Sequence, residues 1–195
     1  MKVILASQNV GKVKEFREIL AKFNIEVLSL KDLNFNVDIV EDGTTFYENA
    51  LIKAKTIYDI YQIPVIADDS GICVKHLNDE PGIYSARYGG MESDKLRNEL
   101  LLKNMLGVVD RSAYFHCSII FYIAKDKFEH FTGRVYGTID YEVKGGGGFG
   151  YDVLFIPNGY DLTFGELSSE IKNEISHRAV ALKSFVNYLE HDFSN

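Results

Sequence analysis

The chain has 195 residues, of which 46% are hydrophobic and 25% charged, and its formal net charge is −7. This is the composition of a folded domain whose core needs neither disulfide nor structural metal, and the acidity argues against a surface for non-specific polyanion binding. No apolar run is long enough to span a membrane, the first one (residues 3–6) is too short for a signal peptide, and Cys73 and Cys117 lack metal-type spacing. One domain over residues 1–195, cytoplasmic, with buried free thiols and no nucleic-acid or membrane partner, is expected.

Residues 3–6 read as a first buried strand. Ser7-Gln8-Asn9-Val10-Gly11-Lys12 follows, then a helical pattern with Val13, Phe16, Ile19, Leu20 and Phe23 on one face. Strand, polar glycine-containing loop, lysine and helix is the layout of a phosphate site, where backbone N–H groups at the helix start face an anion and Lys12 adds a point charge. The Walker spacing is missing, and a helix cap with a solvated lysine accounts for the same residues.

Thr45 and Glu48 have capping-box spacing ahead of a helix whose stripe is Phe46, Ala50, Ala54, Ile57, Tyr58 and Tyr61. Glu48 is thereby explained structurally, and Glu41, ahead of the helix, is left to bind something. Lys53 and Lys55 are expected on solvated faces, with Lys53 able to reach back toward the loop. Val65-Ile66-Ala67-Asp68-Asp69-Ser70-Gly71 then runs from a short buried strand into two adjacent carboxylates, at the strand end where open α/β sheets place ligands. Two such charges repel, so at least one must meet a cation, a proton or an arginine; a plain Asp-Ser-Gly turn is the competing reading.

Residues 81–90 form a glycine- and aromatic-rich loop in which Arg87 steadies either a phosphate or an acidic residue. Ser93 caps a helix that stops at Gly107, with Leu96, Leu100 and Leu101 inward. Residues 113–124 and 128–139, separated by Lys125-Asp126-Lys127, make an antiparallel hairpin, and His116 within it reads as packed or hydrogen-bonded. The four glycines 145–148 are costly to order, and flexibility accounts for the first two. Phe149-Gly150-Tyr151-Asp152 reads instead as a ligand wall, with an aromatic face for a planar group and Asp152 or backbone atoms for its edge; a strand at 153–156 follows. Ser176 caps a last helix with Ala179, Leu182, Phe185, Val186 and Leu189 inward. His177 and Arg178 then occupy its first turn, where the helix dipole disfavours cations, so a bound acceptor or a nearby carboxylate is expected there.

An anion loop with Lys12, the carboxylates Glu41, Asp68 and Asp69, an aromatic glycine-rich wall and the cations Lys172, His177 and Arg178 are what a nucleoside triphosphate with a divalent ion requires. Ser7-Gln8-Asn9-Val10-Gly11-Lys12, Ile66-Ala67-Asp68-Asp69-Ser70-Gly71, Pro81-Gly82-Ile83-Tyr84-Ser85-Ala86-Arg87-Tyr88, Gly148-Phe149-Gly150-Tyr151-Asp152 and Ile175-Ser176-His177-Arg178 closely resemble the motifs of the inosine triphosphate pyrophosphatase family, in order and over nearly the whole chain. The resemblance implies an elongated, two-lobed α/β fold with a long central mixed β-sheet flanked by helices, an active-site cleft between the lobes, and a homodimer. It also implies Mg²⁺-dependent hydrolysis of ITP, dITP and XTP to the monophosphate and pyrophosphate.

Carried over by position, Ser7, Gln8, Asn9, Val10, Gly11 and Lys12 would hold the triphosphate, and Glu41, Asp68 and Asp69 magnesium or its water, with Asp69 as proton acceptor. Ser70 would touch substrate, and Phe149, Gly150, Tyr151, Asp152, Lys172, His177 and Arg178 would line the base and sugar pocket. Two features depart from the family pattern: Val153, where proline commonly follows the Tyr-Asp pair, and the length of the glycine run. Competing readings are a septum-type nucleotide pyrophosphatase acting on other modified nucleotides and a non-catalytic nucleotide-sensing module; the joint presence of Glu41 and Asp69 speaks against the latter.

Overall fold

The computed structural model describes residues 1–191. Its strands are β1 (Lys2–Leu5), β2 (Glu26–Ser29), β3 (Val65–Val74), β4 (Ser112–Ala124), β5 (Lys127–Ile139) and β6 (Phe155–Pro157); its α-helices are α1 (Val10–Leu20), α2 (Phe46–Tyr61), α3 (Asp94–Asn104), α4 (Ser169–Ile175) and α5 (His177–His191). The strands form a mixed sheet in the order β2-β1-β3-β4-β5-β6, with β1 parallel to β2 and β3, and β5 antiparallel to β6. Val3, Ile4 and Leu5 are fully buried, as an inner parallel strand covered on both faces requires. β4 and β5 are joined through Lys125 and Asp126 alone, Asp126 taking the left-handed conformation (φ 57°) that so short a turn demands.

Side-chain oxygens set the helix starts. Asn9, Thr45, Ser93, Ser168 and Ser176 each accept a hydrogen bond from the backbone N–H three residues on, and the Thr45–Glu48 capping box is complete. Glu48 accepts from the Thr44 and Thr45 backbone N–H groups and the Thr44 hydroxyl, so it is occupied structurally, as expected.

The chain divides into two compact units. The first comprises residues 1–69, 118–131 and the described chain from 184 onward. Its core gathers Ile4 and Ala6, the α2 residues Ala50, Ala54 and Ile57, and Val65, Ala67, Ile120 and Tyr122. The second comprises residues 70–117 and 132–183. There Phe155 meets Phe115 with ring centroids 4.8 Å apart and Phe164 at 5.4 Å, among Ile72, Val74, Leu101 and Leu154. The Arg111 guanidinium is buried in this unit and donates to the carbonyls of Met105, Ile139 and Asp140, which leaves each of its nitrogens paired. Cys73 and Cys117 are buried and not in a disulfide, and burial pushes the Cys73 thiol up to about 11.

Several expectations are corrected. Asp68, Asp69, Ser70 and Gly71 do not form a turn at a strand's end; they lie in the middle of β3, which continues through Ile72-Cys73-Val74. Gly71 is there for close approach: a Cβ would come within 2.3 Å of the Ser85 hydroxyl and 2.4 Å of the Gly82 carbonyl oxygen. Residues 82–90 are not simply a loop but short 3₁₀ turns with a kink. Leu96 is 44% exposed and not inward, and α3 stops at Asn104, short of Gly107. The last strand is Phe155–Pro157, starting two residues later than expected. β2 and α4 were not predicted; β2 is four residues with Glu26 and Ser29 at its ends, and its order comes from pairing along β1.

The β5–α5 contact gives a direct test of packing. A Cβ at Gly133 would sit 2.1 Å from the His177 carbonyl oxygen and 2.5 Å from the Ala181 nitrogen, whereas one at Gly146 meets nothing. Gly133→Ala should cost about 1–3 kcal/mol in urea unfolding and Gly146→Ala less than about 0.5 kcal/mol; equal effects would mean that α5 does not pack this closely on β5.

Candidate active site

In the first unit three carboxylates meet two lysines. The alternation of β3 sends Val65, Ala67 and Asp69 to the face packed by α2 and turns Asp68 the other way. Asp68 receives the Lys12 ammonium at 2.6 Å, with 1% of its side chain exposed and 17% of the lysine's. Asp69 faces Lys53 of α2 at 3.5 Å, and the same ammonium lies 3.0 Å from Glu41. The Asn49 side-chain amide donates to Asp69 at 3.3 Å, while its oxygen accepts from the Gly43 backbone N–H at 3.0 Å, tying the loop that carries Glu41 to the helix.

The electrostatics follow from this crowding. Burial pushes the Asp69 carboxyl above the ordinary range; Lys53 pulls it down, and the negative charges of Glu41 and Asp68 add to the rise. Burial by itself would lower the Lys53 ammonium, but the charges of Asp69, Asp68 and Glu41 outweigh it and the net shift is upward. Nearby, Asn9 caps α1 by accepting from the Lys12 backbone N–H, and the Ser7 hydroxyl accepts from the Asn9 N–H. Val10 and Gly11 thus form the first turn of α1, at the positive end of its dipole, and Gln8 donates to the Phe35 carbonyl at 3.5 Å.

The second unit holds an aromatic and cationic cluster. Lys172 of α4 ion-pairs with Asp152, and its ammonium lies 4.7 Å from the centre of the Phe149 ring. Asp152 also accepts from the Phe149 backbone N–H at 2.8 Å, and the Tyr151 hydroxyl donates to the Ser85 carbonyl at 3.0 Å. Phe149 is 49% exposed. The Arg178 guanidinium lies 5.8 Å from the same ring and 3.4 Å from the Ser70 hydroxyl, while the His177 ring stacks on Phe115 at 4.8 Å. His177 and Arg178 are both buried.

The structure therefore brings Lys12, Glu41, Asp68 and Asp69 together in one unit, and Ser70, Phe149, Asp152, Lys172 and Arg178 together in the other. Lys53 does not lie on a solvated face but reaches back to the loop that carries Glu41, as a central charge of the first cluster, and Asn49 joins it there without having been among the expected site residues. Both flank the apolar stripe of α2 at i, i+4 spacing, which was the available signal. Arg87 lies over the Tyr84 ring at 5.2 Å. His116 is hydrogen-bonded as expected, accepting from Arg134 at 3.0 Å. Of the first two glycines of the run, Gly145 packs against the Gly165 carbonyl and the Gly146 N–H donates to it at 3.2 Å, as the Gly147 N–H does at 2.9 Å.

Fold and clusters define the class as an α/β protein with strand-borne carboxylates opposed by lysines. The sequence narrows this further: the Ham1 family matches residues 3–188, and the chain belongs to that family. A dITP/XTP pyrophosphatase of Listeria innocua is 49% identical over 185 residues, 93% of this chain and 91% of that one. One from Clostridium tetani is 44% identical, covering 96% of both. The Staphylococcus aureus Ham1 protein superposes with a TM-score of 0.91 at 39% identity, covering 97% of this chain and 98% of that one.

Lys53 serves two carboxylates at once, and this can be measured. Lys53→Met should lower stability by about 1–3 kcal/mol at neutral pH, since it strands buried charge. Adding Glu41→Gln should return part of that loss, because one stranded charge is gone. Unfolding in urea that is identical for parent and Lys53→Met would show that the cluster does not depend on this cation.

Proposed function

We propose that this protein hydrolyses ITP, dITP and XTP to the nucleoside monophosphate and pyrophosphate, with Mg²⁺. The observation that carries the reading is the set of oxygen ligands Glu41, Asp68 and Asp69 opposed by Lys12 and Lys53, in a chain alignable almost end to end with proteins named dITP/XTP pyrophosphatases.

Among the described residues, no three His, Cys, Asp or Glu side chains converge as a ready-made metal cage. Magnesium takes one or two carboxylates and fills its remaining positions with water and substrate phosphate. Glu41, Asp68 and Asp69 would hold it, and when bound it supplies positive charge to the phosphate oxygens. Lys12 and the first turn of α1, with Ser7, Gln8, Asn9, Val10 and Gly11, bind the triphosphate, where helix N–H groups and an ammonium offset its charge. Asp69 takes the proton from the attacking water as the anhydride bond between the α- and β-phosphates breaks and pyrophosphate leaves. A carboxyl raised by burial is a stronger base for that step than an exposed one.

In the second unit Phe149 stacks on the purine, and the remaining groups of that cluster, with Ser70, line the base and sugar. Inosine and xanthine carry an oxo group at the 6-position, which Lys172, Arg178 or a backbone N–H satisfies. The amino group of adenine would leave such a donor unpaired, a loss of about 1–3 kcal/mol. The protein acts in the cytoplasm as a homodimer.

Purified protein with ITP, dITP, XTP, ATP or GTP and Mg²⁺ should release pyrophosphate from the first three, no orthophosphate, and little of either from ATP; EDTA should abolish turnover. Orthophosphate as the sole product, or equal use of ATP, would overturn the reading. Asp69→Asn should lower kcat by about 10²–10⁴-fold and leave ITP binding within about tenfold; loss of both together would remove Asp69 from its role as base.

A further inference from the structure

Gly150 lies in the centre of the aromatic wall, in the left-handed region at φ +61°. Its backbone is held from both sides by one helix. The Gly150 N–H donates to the Asp94 carboxylate at 2.8 Å, and the Gly150 carbonyl accepts from the Asn98 side-chain amide at 2.9 Å. Asp94 and Asn98 stand one turn apart on α3, hence on the same face. Asp94 is also fixed in place: Arg97 pairs with it through one guanidinium nitrogen and donates to the Met91 carbonyl at 2.8 Å through the other. Asn98 is 3% exposed, so its amide cannot trade the Gly150 carbonyl for bulk water. This is a bidentate grip by side chains on a single glycine, at the point of the chain between Phe149 and Tyr151.

We infer that Asp94 and Asn98 are positioning residues for base selection: without contact to substrate, they fix the backbone from which Phe149, Tyr151 and Asp152 project. The inference rests on the reading of residues 149–152 as the base wall. Neither motif resemblance nor local sequence marks the pair, since an Asp and an Asn in a polar helix look like solvated surface. Their effect has a definite direction. Releasing Gly150 frees the Phe149 ring and the Asp152 carboxylate from their present geometry, so discrimination among purines falls. Phosphate binding by the cluster of Lys12, Lys53 and the carboxylates involves neither residue.

The test uses the full chain with Asp94→Ala, Asp94→Asn and Asn98→Ala. Steady-state kinetics with ITP and GTP are read beside the inhibition constant of inorganic tripolyphosphate, which carries no base. Each alanine variant should lose about three- to tenfold in kcat/KM for ITP, the worth of one such hydrogen bond, and the ITP-to-GTP ratio should fall by a similar factor. The tripolyphosphate constant should stay within twofold. Asp94→Asn keeps an oxygen that accepts from the Gly150 N–H and should hold the ratio near its parental value, which a role confined to the Arg97 ion pair would not do. An unchanged ratio in both alanine variants overturns the inference. Parallel losses for ITP and tripolyphosphate also overturn it, because they mean a general structural role. Should the parent protein release no pyrophosphate from ITP, the functional reading itself fails, and that is visible before any variant is made.

Discussion

Two neighbouring carboxylates on one strand are an electrostatic problem, and the first unit is arranged around its solution. Because side chains alternate along β3, Asp68 and Asp69 meet their nearest ammonium groups in different directions. Each has its own lysine from a different helix: Lys12 of α1 for Asp68, and Lys53 of α2 for Asp69. The strand therefore commits both helices. α1 must start where Lys12 can reach Asp68, which the Asn9 cap secures, and α2 must start where Asn49 and Lys53 flank Asp69, which the Thr45–Glu48 box secures. Asp69 stays raised in spite of Lys53, chiefly through burial, and so holds a proton more tightly than an exposed aspartate does.

The second unit solves a different problem, that of ordering a stretch of chain rich in glycine. Order there comes from backbone capture. Gly165 offers one carbonyl to two N–H groups, α3 grips Gly150, and Asp152 ties Lys172 to the backbone of Phe149. Several of these contacts are possible only where there is no side chain: a Cβ at Gly145 would lie 2.2 Å from the Gly165 carbonyl oxygen, and one at Gly148 2.1 Å from the Asp152 carboxylate. The conformational entropy of the run is thus offset by hydrogen bonds and close packing that bulkier residues would forbid.

Much of this was legible in the sequence, and the division between what was and was not has a physical basis. The Thr45, Ser93 and Ser176 caps, the α2 stripe and the β4–β5 hairpin depend on residues close together along the chain, and the structure has each of them. The carboxylates and the candidate base wall were found because their chemistry is unusual for their surroundings. An isolated lysine beside an apolar stripe reads first as solvated, and for Lys53 the alternative reach back toward the loop is the one the structure takes; its partners Glu41 and Asp69 lie 12 and 16 positions away and only the fold brings them in. The Asp68–Gly71 stretch was read partly as a turn because Asp, Ser and Gly favour turns in isolation. In the structure, sheet pairing overrides that preference and Gly71 serves the close approach of Ser85. The grip of α3 on Gly150 had no local signature at all.

The two buried thiols have a chemical consequence. With Cys73 held at about 11 by burial, only about one molecule in ten thousand carries its thiolate at neutral pH, and the thiolate is the species that oxidants and alkylating agents attack. Cys117 is fully buried. Neither cysteine therefore presents an accessible thiolate to such reagents. The same inertness leaves an added surface cysteine as the preferred site of attachment for a spectroscopic label, with the native pair left in place.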